Sequence, residues 1–354
     1  MHHTLHSKIK NALIIQSDWE GGLTNFAQDL IKAGTEVTKV LLHAGDWIHK
    51  WKGIPTVKYD APLAQFETWL RKYISESNID CLIVYNQYRP YNAVSWKVAE
   101  ELGLECIVLE LGLLRPDFCS IYTRDCNQFE YLAGEWDNLL VSKDTLIEPT
   151  KPPQLARMST PCKMIQFGLY FLFSRFMSTF ARQFTHYCDQ RSMNVRHHLR
   201  ACVIGGLRFQ GRKKQSYFDK IFATRWSNKY YFVPLQVHTD SQITERSNFK
   251  SIEEFIQLVV NSFLKHAPRG TKLVFKVHPM DRGYKDYHEF IKKMRSNVGG
   301  HRVLYLDRIH LPTALDHARA CITINSSVGL SALIHRTPLI TLGEAAFDLK
   351  ELTY

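Results

Sequence analysis

Lys272-Leu-Val-Phe-Lys-Val-His-Pro-Met-Asp281 is the stretch from which the rest of the chain can be read. Lys272–Val277 mixes charged with branched and aromatic residues and is predicted to be a strand that ends before Pro279, whose nitrogen has no proton to give a ladder. That pattern leaves His278 at a strand's carboxyl end, where open α/β sheets bind their ligands. An isolated His-Pro pair also fits an ordinary strand-to-loop turn, so its meaning depends on its neighbours.

The neighbours have the same form. Tyr230–Leu235 is an apolar strand that runs into the polar loop Gln236-Val-His-Thr-Asp240-Ser-Gln242. Cys321–Ile324 is another, leaving into Asn325-Ser-Ser-Val-Gly329 and then into a helix over 330–334. Helical spacing over 252–264, 284–294 and 311–320, with strands at 302–306 and 338–342, completes an alternating α/β set. Three loops therefore fall at strand ends: Gln236 to Asp240, His278 with Pro279, and Asn325 to Ser327. The last offers hydroxyls and backbone N–H groups at a helix start, which suits an anion such as phosphate. His278 is placed to donate to the same phosphate, and Lys276 is a further cation whose direction depends on the strand's twist. Asp240 fits a nucleophile, a base, or a turn residue capping Gln242.

Towards the N-terminus, Asn11–Ile15 is a strand followed by a loop with Gly21-Gly22, a helix closed by Gly34, and a strand over Glu36–Leu42. Adjacent glycines let a ligand approach a helix start, although close packing explains them equally well. Helices over 66–74 and 93–102 alternate with strands over 81–85 and 105–109 without hairpin signals, so a parallel, doubly wound sheet is expected. Polar residues follow these strands: Asn86, Arg89 and Tyr91 after one, and Glu110, Gly112, Arg115, Pro116 and Asp117 after the next.

Between the two halves the composition changes. Pro149, Pro152, Pro153 and Pro161 mark a boundary, and Met164–Phe180 is apolar and aromatic around Arg175. Lys151–Lys214 holds twelve Lys or Arg against one acid, Asp189, matching the whole chain's net charge of +11. Met164–Phe180, with its internal arginine, is short for a membrane span and reads as an interfacial helix beside anionic lipid, the alternative being a buried interdomain helix with a solvated basic partner. The basic segment lacks the signature of a nucleic-acid module. The 354 residues, 45% hydrophobic and 22% charged, suffice for two globular domains. Eight scattered cysteines show neither zinc nor disulfide spacing, and no secretion signal opens the chain, so a cytoplasmic protein with reduced thiols is expected.

Gln236-x-x-x-Asp240, Lys276-Val-His278-Pro279-Met-Asp-Arg-Gly283 and Thr323-Ile-Asn325-Ser326-Ser327-Val-Gly-Leu-Ser-Ala-Leu333 together resemble the capsule polysaccharide biosynthesis family of the KpsS/LipB type. Gly45-Asp46-Trp47, Arg89-Pro90-Tyr91 and Glu110-x-Gly112-x-x-Arg115-Pro116-Asp117 extend the resemblance to the first half. It implies a GT-B-like pair of Rossmann-type domains: an acceptor-side domain over 8–148, a basic, aromatic helical insertion over 149–226, and a CMP-sugar-binding domain over 227–354. The implied activity is a retaining β-Kdo transfer from CMP-Kdo to phosphatidylglycerol, which starts the oligo-Kdo linker of a bacterial capsule. It would take place at the cytoplasmic face of the inner membrane, alongside other capsule proteins and without metal or cofactor.

By the same resemblance Asp240 and Glu110 are catalytic. Gln236, Lys276, His278, Pro279, Asn325, Ser326 and Ser327 bind the donor, and Gly21, Gly22, Arg89 and Arg115 lie on the acceptor side. Chemically, a CMP-sugar leaves as a phosphate monoester, so a clamp of His278, Ser326 and Ser327 stabilises the developing charge. Retention follows from two displacements with Asp240 attacking first and Glu110 assisting as acid/base. This chain departs from the family pattern at Leu113 and Tyr122, and the family commonly continues beyond the equivalent of Tyr354 with a Gly-rich, aromatic tail. The alternatives are a transferase for another CMP-sugar, or a non-catalytic component of capsule assembly and export.

Overall fold

The computed structural model describes residues 9–16, 22–47, 51, 53–113, 119–123, 169, 172–188, 200–201, 203–208, 215–295, 300–349 and 351–354. The chain divides into two compact units. Among described residues, unit 1 holds the chain through Cys188 and unit 2 holds it from Arg200.

In unit 1 the elements run β1 (Asn11–Ile14), α1 (Gly22–Lys32), β2 (Glu36–Leu41), β3 (Thr56–Lys58), α2 (Phe66–Glu76), β4 (Cys81–Tyr85), α3 (Pro90–Leu102), β5 (Glu105–Leu111) and β6 (Cys119–Thr123). They form a six-stranded sheet of order β3-β2-β1-β4-β5-β6. Strand alternation sends Leu13, Ile15, Leu82, Val84 and Val108 to one face, against α2 and α3. Ala12, Ile14, Ile83 and Ile107 go to the other, against α1. Continuous apolar strands are what a sheet covered on both faces requires. The fully parallel expectation fails at one edge, where β6 runs antiparallel to β5 with Glu110 opposite Ser120. β6 is an edge strand with Ile121 exposed and Tyr122 buried, so it lacks the apolar run that identifies the inner strands.

Unit 2 contains α4 (Gln215–Ala223), β7 (Tyr230–Pro234), α5 (Ser241–Glu245), α6 (Ile252–His266), β8 (Lys272–Lys276), α7 (His288–Arg295), β9 (Val303–Leu306), α8 (Leu311–Asp316), β10 (Ala320–Thr323), α9 (Val328–Ile334) and β11 (Leu339–Thr341). Its five strands are all parallel, in the order β11-β10-β7-β8-β9. Val233, Leu273, Phe275 and Val277 meet α6 and α7 on one face. Phe232, Val274, Cys321 and Leu339 meet α4, α8 and α9 on the other. This second doubly wound unit bears out the α/β reading, with element ends displaced by a few residues. The predicted helix over 284–294, for example, begins at His288, whose N–H is accepted by Asp286 Oδ1 at 2.9 Å after an irregular run.

Much of the basic, aromatic segment, including Arg212, Lys213 and Lys214, lies outside the described residues. Some of its described residues pack into each unit. In unit 1, Phe184 is buried, its ring centroid 5.2 Å from that of Trp47, and Tyr187 stacks on Tyr91 at 5.8 Å. In unit 2, Arg208 pairs with Asp286 at 2.8 Å and donates to the Arg282 carbonyl at 2.5 Å, so its charge serves packing of the chain itself. Ala201 lies so close to Gly283 that a Cβ there would sit 1.8 Å from the Ala201 carbonyl oxygen. Glycine is therefore required after the His-Pro turn by packing.

Candidate functional site

Strand order in unit 2 places β10, β7 and β8 side by side, so the three loops singled out in the sequence share one edge. The chain proceeds from β7 to β8 and β9 in one direction and from β10 to β11 in the other. The switch point between β7 and β10 is where such a sheet opens a crevice.

Gln236, buried at 5% exposure, spans that switch point. Its Nε2 donates to Asn325 Oδ1 at 2.9 Å and to Asp240 Oδ2 at 3.3 Å, and its Oε1 accepts from the Asn325 backbone N–H at 3.4 Å. Asn325 donates onward to the carbonyls of Gln242 at 2.8 Å and Arg246 at 3.3 Å, which fixes α5 against the rim. Asp240 Oδ1 caps α5 by accepting from the Gln242 N–H at 3.1 Å. The capping role left open in the sequence is thus realised. It leaves acceptor sites on a carboxylate that offers about four lone-pair sites.

His278 caps the turn over Pro279–Asp281, its Nδ1 accepting from the Met280 N–H at 3.2 Å. A ring that accepts at Nδ1 carries its neutral-form proton on Nε2, which makes Nε2 a donor. Lys276 lies on the Val274 face of β8, opposite Phe275 and Val277, and its Nζ donates to the Val277 carbonyl at 3.3 Å. Burial, reinforced by the neighbouring Arg282 guanidinium, lowers its ammonium to about 8. At the third loop, the Ser326 N–H is taken by Thr323 Oγ1 at 3.2 Å and the Val328 N–H by Ser326 Oγ at 3.3 Å. Those two amides are satisfied locally, so an anion at this loop would meet side-chain hydroxyls first. Gly329 lets the helix start pack closely, since a Cβ there would stand 2.6 Å from the Phe347 ring and displace it.

Two residues of this rim escaped the sequence reading. Asp281 is 1% exposed, and its oxygens accept from both the backbone N–H of His238, at 2.8 Å, and its ring Nδ1, at 2.7 Å. The pair ties the Asp240 loop to the His278 loop. Each is a lone residue inside a motif noticed for other members, and their contact spans 43 positions, so no local pattern announces it.

In unit 1, Glu110 stands half-buried near the end of β5, where its carbonyl accepts from Cys119 Sγ at 3.0 Å. Arg89 precedes α3 with its guanidinium over the Tyr85 ring at 5.2 Å. Gly22 is the first residue of α1, while Gly21 and Arg115 lie outside the described residues. The Gly45-Asp46-Trp47 motif has a structural purpose. Asp46 accepts from the Leu42 and His43 N–H groups at 2.9 and 3.3 Å and lies 3.9 Å from the fully buried Lys39 ammonium. Burial works to raise the Asp46 pKa, but His43, Lys39 and the two N–H donors outweigh it and hold the carboxyl low. Burial lowers the Lys39 pKa against the opposing pull of Asp46.

The family model described as capsule polysaccharide biosynthesis protein matches residues 80–354. Escherichia coli "Capsule polysaccharide export protein KpsS" is 29% identical over 98% of this chain and 87% of its own length. Neisseria meningitidis "Capsule polysaccharide modification protein LipB" is 29% identical over 97% of this chain and 83% of its own. Among solved structures, "Thermosulfurimonas dismutans KpsC, beta Kdo 2,7 transferase" aligns over 97% of this chain and 82% of that one, with a TM-score of 0.45 and 14% identity.

Proposed function

The chain belongs to the capsule polysaccharide biosynthesis family, and from that premise we propose that it is a retaining, metal-independent glycosyltransferase that moves Kdo from CMP-Kdo to phosphatidylglycerol. The observation that carries the reading is the convergence of Gln236, Asp240, His278 and Asn325 on the edge of three adjacent parallel strands, at a switch point. The identity of the donor comes from the motif resemblance. Its chemistry is matched by an Nε2 donor on His278, two serine hydroxyls and the Lys276 ammonium, all suited to the phosphate of a departing CMP. Asp240 attacks the anomeric carbon, CMP leaves, and the acceptor hydroxyl then displaces Asp240 to restore the configuration. Glu110, with Arg89 and Arg115, is assigned to the acceptor side, and the paired Rossmann-type units to a GT-B-like enzyme.

A lipid acceptor also gives the aromatic segment a purpose. Leu172, Phe173, Phe176 and Phe180 are exposed along residues 172–180, beside exposed Arg175 and Arg182. An apolar face flanked by cations is the composition of an interfacial helix. Among the described residues no helix is long and apolar enough to cross a membrane. Binding to anionic vesicles should be salt-sensitive and weakened by neutralising Arg212, Lys213 and Lys214. Equal binding to neutral vesicles removes the membrane part of the proposal.

Incubation with CMP-Kdo and a short-chain phosphatidylglycerol, followed by mass spectrometry of the lipid, should show the gain of one Kdo. No gain with either substrate consumed defeats the assignment. The cap that Asp240 makes on α5 also suits a non-catalytic capsule component, and absence of any turnover would favour that reading.

A further inference from the structure

The two histidines of the unit 2 rim are held in opposite senses. His278 accepts a backbone N–H at Nδ1, so its Nε2 is a proton donor. His238 faces a buried carboxylate at Nδ1, so that nitrogen carries the proton and donates to Asp281 Oδ1 across 2.7 Å. The second carboxylate oxygen holds the backbone N–H of the same residue at 2.8 Å. Neutral His238 therefore keeps its lone pair on Nε2, and no hydrogen bond engages that nitrogen among the described residues. The ring is 27% exposed, whereas the carboxylate that orients it is 1% exposed. Tyr284 flanks the ring at 6.3 Å between centroids, and Asp240 follows two positions along the same loop. An imidazole oriented through Nδ1 by a buried carboxylate, with a basic Nε2 presented outward, is the arrangement of a general base whose protonated form the carboxylate stabilises.

We infer that His238, oriented by Asp281, is the general base of the second displacement, in the transferase reading proposed above, on which this rests. The acceptor oxygen forms a bond to the anomeric carbon as the bond from that carbon to Asp240 breaks, and the electron pair returns to the Asp240 carboxylate. The hydroxyl proton passes to His238 Nε2. The resulting imidazolium is balanced by Asp281 and releases its proton to solvent. His238 Nε2 meets the acceptor hydroxyl, so it is a catalytic residue, and Asp281 is its positioning residue. The dyad supplies from the same unit as Asp240 the proton acceptor that sequence reading assigned to Glu110.

His238→Asn is the informative change, because the asparagine amide still donates to Asp281 while the basic nitrogen is lost. Incubated with CMP-Kdo alone, this variant should form the glycosyl adduct on Asp240 at the parent's rate, seen by intact mass. On adding short-chain phosphatidylglycerol, loss of the adduct and gain of glycolipid should slow about 10²–10³-fold, with the KM for CMP-Kdo within about threefold of the parent's. Asp281→Asn should slow the same step less and leave adduct formation intact. This second variant keeps the test alive if His238→Asn folds poorly. Glycolipid formation within about threefold of the parent in both variants overturns the inference. So does a larger loss in that step for Glu110→Gln than for His238→Asn. Failure of the underlying reading looks different: the parent itself would form no adduct and Asp240→Ala would transfer at full rate, and the dyad assignment would fall with it.

Discussion

The carboxyl-end rims of the two sheets are built from similar residues and use them differently. In unit 1 the Lys39–Asp46 charges are buried, although Arg89 and Glu110 stay half-exposed: Lys39 donates to the carbonyls of Ile15 and Val40 at 2.5 Å each, and Asp46 closes the turn after β2. Gln16 donates to the Tyr187 hydroxyl at 2.8 Å, and Tyr187 covers Tyr91. These contacts fasten loops to the sheet. In unit 2 the polar side chains bond across loops, Gln236 to Asn325 and His238 to Asp281, while Asp240 and His278 stay half-exposed. A motif at a strand end therefore does not signify chemistry by itself. What separates the rims is whether the functional atoms remain accessible after the backbone has been satisfied.

The largest expected effect tests the accessible rim. Asp240→Asn should preserve the α5 cap, since asparagine caps as well as aspartate, and give up the 3.3 Å bond from Gln236, so the thermal midpoint should fall only slightly while Kdo transfer drops at least about 10³-fold, near 4 kcal/mol in barrier. Transfer within tenfold of the parent would make Asp240 a capping residue alone. The converse holds in unit 1. Lys39→Ala should strip the buried Asp46 of one of the two basic groups beside it, leaving His43 at 3.7 Å, and cost about 3–5 kcal/mol of stability in urea unfolding. A loss under 1 kcal/mol would show that the buried cluster is not structural.

Lys276 gives a smaller, pH-dependent effect. Its folded value of about 8 lies below that of an unfolded chain, so the unfolded state binds more protons between about 8 and 10.4. Stability should consequently rise with pH across that window, by about 3 kcal/mol, and Lys276→Met should flatten the slope. An unchanged slope would mean that the ammonium is well solvated. The smallest change is expected of His278→Ala, which should weaken CMP binding about tenfold, or about 1.4 kcal/mol, by calorimetry. Unchanged affinity would remove His278 from the phosphate site.

The alternation of apolar strands and amphipathic helices was legible along the chain because each strand is covered on both faces, and that requirement is written locally in runs such as Cys81-Leu-Ile-Val-Tyr85. The loops with Gln236, His278 and Asn325 were legible for the same reason, since a strand's end is visible where its apolar run stops. The antiparallel β6 was not, because an edge strand covered on one side carries half the signal. Strand order is set by crossovers between distant segments, and it alone placed β10 and β8 on either side of β7. The same long-range closure joined His238 to Asp281. Residue types and strand ends were thus determined by sequence, whereas neighbours across the rim, and the proton each histidine carries, were decided by tertiary structure, because hydrogen-bond partners depend on distance in space.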